Sequence, residues 1–192
     1  MKKILLSGFE PFGGASENPT RVLIKELERD FETLVLPVVF GEASRRLIKK
    51  IDEIQPDVVI ALGQAEGRDA ITPERIAINC DDARIPDNVG NLLRNQPIIE
   101  GGADGYFSTL PIDQMVTAIN EVGVPARVSL SAGTFVCNNV FYALQHHLRG
   151  TKTLSGFIHV PLHDTQSFEF PGQPTMSLAD MLKGIKAAIS VL

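Results

Sequence analysis

The chain has 192 residues, a net charge of −5 and only two cysteines, Cys80 and Cys137. The length suits one well-filled core over residues 1–192, and no Pro/Gly/Ser-rich linker divides it. An acidic balance without a basic run argues against nucleic acid or an anionic membrane as partner. The cysteine usage gives neither a disulfide framework nor a structural zinc site, which points to a reducing cytoplasm.

Met1-Lys2-Lys3-Ile4-Leu5-Leu6 has the start of a signal peptide, but Gly8, Glu10 and Pro11 cut its apolar run short, so it reads as a first buried strand. No run has the length of a membrane-crossing helix. Gly8-Phe9-Glu10-Pro11-Phe12-Gly13-Gly14 is then a loop. Its two phenylalanines either cap the core from the sheet edge or wall an apolar ligand pocket. Asn18-Pro19 starts a helix with Val22, Leu23, Leu27 and Phe31 on its apolar face. Thr33 to Phe40 reads as a strand, broken by Pro37 and hence bent or at an edge. Ala43 to Gln55 is a second amphipathic helix, and Asp57 to Leu62 a buried strand.

The loop Gly63-Gln64-Ala65-Glu66-Gly67-Arg68 lacks a dinucleotide fingerprint, and neither glycine-rich loop carries the Gly-Lys-Ser/Thr of a phosphate loop. Ile71 to Asn79 looks like a turn feeding a strand. Its charges, Glu74 and Arg75, are either a solvated edge or, for Glu74, a carboxylate aimed at an imidazole. Asp81 to Gly102 is a long irregular excursion, of the kind that is commonly functional. A third helix runs from Leu110-Pro111 to near Gly123. An apolar strand, Ala126 to Leu130, leads through a Gly133 turn to a helix reaching Leu148. Ser155 to Val160 is one more strand, and Ser177 with Asp180 opens a last helix to Leu192. Alternating strands and helices predict an α/β fold with a largely parallel sheet between helical layers. Ligands bind such sheets beyond the strands' carboxyl ends, where Phe9, Gln64, Cys137 and His159 would converge.

Cys137 falls where a helix should begin, so unpaired N–H groups and the helix dipole would favour its thiolate, the form a nucleophile needs. The plainer alternative is a small buried core residue. His146 and His147 lie two or more turns along the same helix, out of reach, and His163 lies in a polar turn. His159, ending an apolar strand, is the better base, unless it is a satisfied core histidine.

Five blocks in order decide between these readings. Gly8 to Gly14, Ile71 to Arg75, Arg84-Ile85-Pro86-Asp87-Asn88, Ala132 to Asn138, and Gly156-Phe157-Ile158-His159-Val160-Pro161 together closely resemble the pyroglutamyl peptidase I family of cysteine peptidases, over nearly the whole chain. The resemblance implies a three-layer α/β/α sandwich around a twisted, mixed but largely parallel sheet. It implies hydrolysis after an N-terminal pyroglutamyl residue of peptides, without metal or cofactor, and a homo-oligomer. It places a triad on Glu74, Cys137 and His159 and an oxyanion-supporting arginine near Arg84. Phe9, Phe12, Ile85, Phe135 and Val136 match the family's pocket wall, and Asn18 and Gln64 its polar positions near the lactam. Val38 and Glu66 depart from the pattern, where threonine and glycine are common. The alternative is a non-catalytic α/β domain that binds a small molecule or nucleotide at the same rim.

Overall fold

A computed structural model describes residues 2–192. The chain runs β1 (Ile4–Phe9), α1 (Pro19–Leu27), β2 (Glu32–Leu36), α2 (Glu42–Ile54), β3 (Val58–Gln64), then the short strands β4 (Thr72–Pro73), β5 (Ile76–Ile78) and β6 (Gly105–Phe107). It continues through α3 (Ile112–Glu121), α4 (Val136–Leu148), β7 (Leu154–Val160), β8 (Leu162–His163), a 3-10 turn over Asp164–Phe168, β9 (Thr175–Met176) and α5 (Leu178–Ser190). Five strands form the central sheet in the order β2-β1-β3-β7-β4. All neighbours in it are parallel except β4, which runs antiparallel to β7.

Strand alternation explains the layers. Ile4 and Leu6, Val58, Ile60 and Leu62, and Ile158 and Val160 face one way and pack on α1, α3 and α5. Leu5 and Phe9, Val59 and Ala61, and Phe157 face the other way and pack on α2 and α4. Both faces are therefore covered, which is why β1, β3 and β7 read as almost unbroken apolar runs. Each fully buried Leu, Ile or Phe on them stabilises the fold by about 1.5–3 kcal/mol. The result is the α/β/α sandwich that the alternation of elements predicts.

Local chemistry sets the element ends. Asn18 caps α1, its Oδ1 accepting from the Thr20 N–H at 3.0 Å, with Pro19 in the first turn. The strand β2 stops at Leu36, before Pro37, and lies at the sheet edge. Gln55 ends α2 in the left-handed conformation before Pro56. Residues 81–102 carry no regular element and are held by the antiparallel bridge Asp81–Gln96.

Two expectations change. Ala126 to Leu130 forms no strand: only two isolated bridges, Ile71–Ala126 and Glu74–Ser129, tie it to the sheet edge. Both bridges flank the two-residue β4, too short for a ladder, and Leu130 is left 70% exposed. Ile71 to Asn79 yields two short strands instead of one. Only β4 joins the main sheet, and β5 pairs with β6 in a separate ribbon.

Candidate active site

The parity that layers the core also aims the site. Residue 159 shares the face of Phe157, so His159 points toward α4. Gly63 lies opposite His159 on β3, on that same face. A Cβ at Gly63 would sit 2.7 Å from the Phe157 ring and 3.0 Å from Cys137 Sγ. The missing side chain is the space in which the thiol is seated. On the other flank of β7, Thr72 pairs with His159, and the Glu74 N–H donates to Phe157 O at 2.9 Å. That register brings the Glu74 carboxylate alongside the imidazole, where Oε1 lies 2.7 Å from His159 Nδ1.

Cys137 is the second residue of α4, so its N–H has no acceptor within the helix. The N-cap residue, Phe135, supplies no capping side chain. The next two residues anchor this end. Asn138 Nδ2 donates to Ile78 O at 2.9 Å and Cys80 O at 3.0 Å, and its Oδ1 accepts from the Ile78 N–H at 3.1 Å. Asn139 Nδ2 donates to Asp81 Oδ2 at 2.8 Å, and its Oδ1 accepts from the Ser44 hydroxyl at 3.2 Å. Two buried amides thus fix the helix start to the 78–81 segment and to α2, and with it the thiol.

The electrostatics revise the thiolate expectation. Burial pushes the Cys137 thiol up to about 12, and the Glu74 charge adds to the rise while Arg68 opposes it. Burial also pushes the His159 imidazole below its ordinary value, against the pull of Glu74. For Glu74 burial works against the charge, but the hydrogen bond and charge of His159 prevail and hold the carboxyl below its usual range. At rest the site therefore pairs a neutral thiol with a neutral imidazole backed by a carboxylate. The helix end does not overcome desolvation.

Next to the thiol lies a narrow slot lined by Phe9, Phe12, Asn18, Val38, Gln64, Phe135, Val136 and Cys137. Its free volume is about 10 Å³, room for roughly one water molecule. The Phe135 ring closes one side, packed edge-on against Phe40 at 5.3 Å and tilted against Phe12 at 5.9 Å. Asn18 and Gln64 bring the polar groups. Gln64 Oε1 accepts from Gln166 Nε2 at 3.0 Å, and Gln166 is in turn held by Glu17 O at 3.1 Å and the His163 N–H at 2.9 Å. Ile85 and Arg84 do not line this slot. Ile85 sits over Gly13, where an added Cβ would come within 3.6 Å of its Cδ1. Arg84 is exposed, with no hydrogen bond or ion pair among the described residues. Glu66 is exposed too.

The Pyroglutamyl peptidase family model matches residues 2–192. The chain belongs to the pyroglutamyl peptidase family. It is 48% identical to the pyrrolidone-carboxylate peptidase of Vibrio parahaemolyticus, over all of this chain and 93% of that one. Among solved structures, pyroglutamyl peptidase I from Bacillus amyloliquefaciens superposes with a TM-score of 0.94 at 42% identity, covering 97% of this chain and 92% of that chain. The A199P mutant pyrrolidone carboxyl peptidase from P. furiosus gives 0.93 at 44% identity, over 98% of this chain and 97% of the other.

Two side chains of this peptidase-family site carry no motif of their own. Gln166 is a polar residue in a polar turn, and only the fold shows that it buries against Gln64. Arg68 ends a loop whose glycines draw attention first, yet its Nη1 donates to Glu74 Oε1 at 2.7 Å.

Proposed function

We propose that Cys137, His159 and Glu74 carry the hydrolysis by which this chain, a pyroglutamyl peptidase, removes an N-terminal pyroglutamyl residue from a peptide. The observation that carries this reading is the buried Glu74–His159 contact at 2.7 Å on the strand face that also holds the Cys137 thiol. A carboxylate on Nδ1 fixes the tautomer that leaves Nε2 free to act as base.

In the proposed sequence the scissile carbonyl arrives over Cys137, and His159 takes the thiol proton as sulfur attacks. A neutral pair at rest suits this timing, because the thiolate forms only when the electrophile is present to receive it. Glu74 stabilises the imidazolium. The N–H of Cys137, free of any helical acceptor, is aimed to support the oxyanion, and we keep Arg84 as a second donor for the larger substrate complex. The peptide amine leaves with the proton from His159. Water, activated by the same imidazole, then hydrolyses the thioester to pyroglutamate and restores the thiol.

The slot suits a five-membered lactam. Phe9, Phe12, Val38, Phe135 and Val136 offer apolar walls, and Asn18 and Gln64 offer groups for the ring amide. A charged glutamate would lose its hydration there without a partner, which favours the neutral lactam. A lactam ring needs more than about 10 Å³, so the half-buried Phe12 and Phe135 must part as it enters.

This reading takes residues 1–192 as one catalytic domain acting on pyroglutamyl peptides. It places the enzyme in the cytoplasm as a homo-oligomer, where Cys80 and Cys137, neither in a disulfide, suit a reducing medium. Sedimentation velocity checks the assembly. The activity test is release of a chromogenic amine from pyroglutamyl-amide beside prolyl-amide, before and after alkylation. Pyroglutamyl-selective release lost in step with Cys137 labelling is expected. Release that survives complete labelling of Cys137 refutes the nucleophile.

A further inference from the structure

Arg68 lies outside the slot, yet its guanidinium bonds to Glu74, to Thr72 on the edge strand and to Ser131 in the turn before α4. Its Nη1 donates to Glu74 Oε1 at 2.7 Å, the same oxygen that faces His159 Nδ1 at 2.7 Å. The same nitrogen reaches Thr72 Oγ1, directly opposite His159 in the sheet. Its Nη2 donates to Ser131 O at 3.0 Å, in the turn that leads into α4. One planar fork thus joins the acid, the edge strand and the approach to the nucleophile.

The demand on that fork is high. Glu74 is fully buried, and its Oε2 has no hydrogen-bond partner. The carboxylate's closest partners therefore share Oε1, one imidazole and one guanidinium, with the Ser129 side chain adding to the stabilisation of the charge. We propose that Arg68 is a positioning residue: it keeps Glu74 ionised and in place, shares the oxygen on which His159 is oriented, and so sets the pH range in which His159 and Cys137 exchange their proton. This rests on the triad assigned above.

The surroundings leave Arg68 as the cation of the cluster, paired with the Glu74 carboxylate at 2.7 Å. Glu74 faces it from the segment after β4, His159 lies behind on β7, and Cys137 on α4. Arg127, across a cleft of about 210 Å³, is paired with Asp69 of Arg68's own loop at 2.6 Å. Ser129 and Thr72 are the neutral polar groups on the cleft wall. A positive charge here lowers the proton affinity of both Cys137 and His159. Its removal must raise both.

The test is kcat/KM against pH for Arg68→Met and Arg68→Lys, with separate kcat and KM on a pyroglutamyl amide. For Arg68→Met both limbs of the profile move to higher pH by about half a unit or more, and kcat falls by about tenfold. KM stays within about twofold, because Arg68 does not line the slot. For Arg68→Lys the charge remains and the fork is lost, so the limbs stay near the wild type while kcat falls. Limbs of Arg68→Met that coincide with the wild type overturn the proposal. If that variant does not fold, wild-type kcat in Arg68→Lys overturns it. Cys137→Ala, run alongside, separates the two levels. Activity in that variant defeats the triad, whereas an inactive Cys137→Ala beside unshifted Arg68→Met limbs defeats only the role of Arg68.

Discussion

Asp81 joins the start of the 81–102 excursion to the nucleophile's helix, and replacing it with asparagine should make the folded protein more stable at neutral pH. The carboxylate is buried, one oxygen accepts from Asn139 Nδ2 at 2.8 Å, and the other has no partner. Burial pushes its carboxyl up from 3.8 to about 6, and the Asn139 hydrogen bond only partly resists. The folded form therefore binds the Asp81 proton more tightly than the unfolded chain does. The destabilisation is absent below about pH 4, grows as pH rises toward 6, and is complete above it. A displacement of about two pH units corresponds to at most about 3 kcal/mol. Asparagine removes that charge and keeps an acceptor for Asn139. Its amide nitrogen then occupies the unpartnered position and costs about 1 kcal/mol in return.

The expected net gain of Asp81→Asn is thus about 1–2 kcal/mol near pH 7.5, vanishing or reversing near pH 4.5. Urea unfolding followed by circular dichroism at both pH values measures it, read as variant minus wild type so that the other carboxylates cancel. A difference that is the same at the two pH values, within about 0.5 kcal/mol, refutes the reasoning, since it would mean that Asp81 binds its proton alike in both states.

Other perturbations test the site. Cys137→Ala should lower kcat/KM by about 10⁴ or more with an unchanged circular dichroism spectrum, His159→Ala should be nearly as severe, and Glu74→Gln milder because it orients and does not react. Steady-state assays of the three decide this, and wild-type turnover in the alanine variant at 137 would remove the nucleophile. Gly63→Ala puts a Cβ 2.7 Å from the fully buried Phe157 ring, so a loss of about 1–3 kcal/mol is expected in thermal unfolding, with altered alkylation of the displaced thiol. Gln166→Ala removes the donor at 3.0 Å from Gln64 and should raise KM by about fivefold or more while kcat holds within a few-fold. An unchanged KM would mean that Gln64 needs no such support.

What the sequence made legible follows from how far each interaction reaches along the chain. Asn18-Pro19 starts a helix through atoms two residues apart, and period-two alternation in β1, β3 and β7 names the face of every core side chain. Ala126 to Leu130 misleads for the complementary reason. Whether an apolar run becomes a strand depends on its neighbour, and β4 offers two residues. The thiol follows the same rule. A helix start is a local fact, and it sits where the turn at Gly133 implies. Its proton affinity is set instead by its burial beside Gly63 and by the charges of Glu74 and Arg68, which lie on other segments.

The site is least legible where one side chain acts through another. Glu74, Cys137 and His159 stand out as residue types that do chemistry, so a motif can carry them. Arg68 and Gln166 do their work on Glu74 and Gln64, and nothing in Gly67-Arg68 or Gln166-Ser167 marks the contact. They become visible only once β7 and β4 pair with Thr72 opposite His159, and once the 3-10 turn is folded back over the loop before α1. The polar frame around the thiol has the same character. Asn138 and Asn139 adjoin Cys137 in sequence, but each donates its amide N–H groups to residues about sixty positions away. The run Cys-Asn-Asn is thus one reactive group followed by its two anchors. Since those anchors bond to Ile78, Cys80 and Asp81, the thiol's position is tied to the same short stretch that leaves the acid at Glu74. Glu74 itself is held on the edge of β7, its N–H donating to Phe157 O at 2.9 Å, so the main sheet fixes the acid while the 78–81 segment fixes the nucleophile.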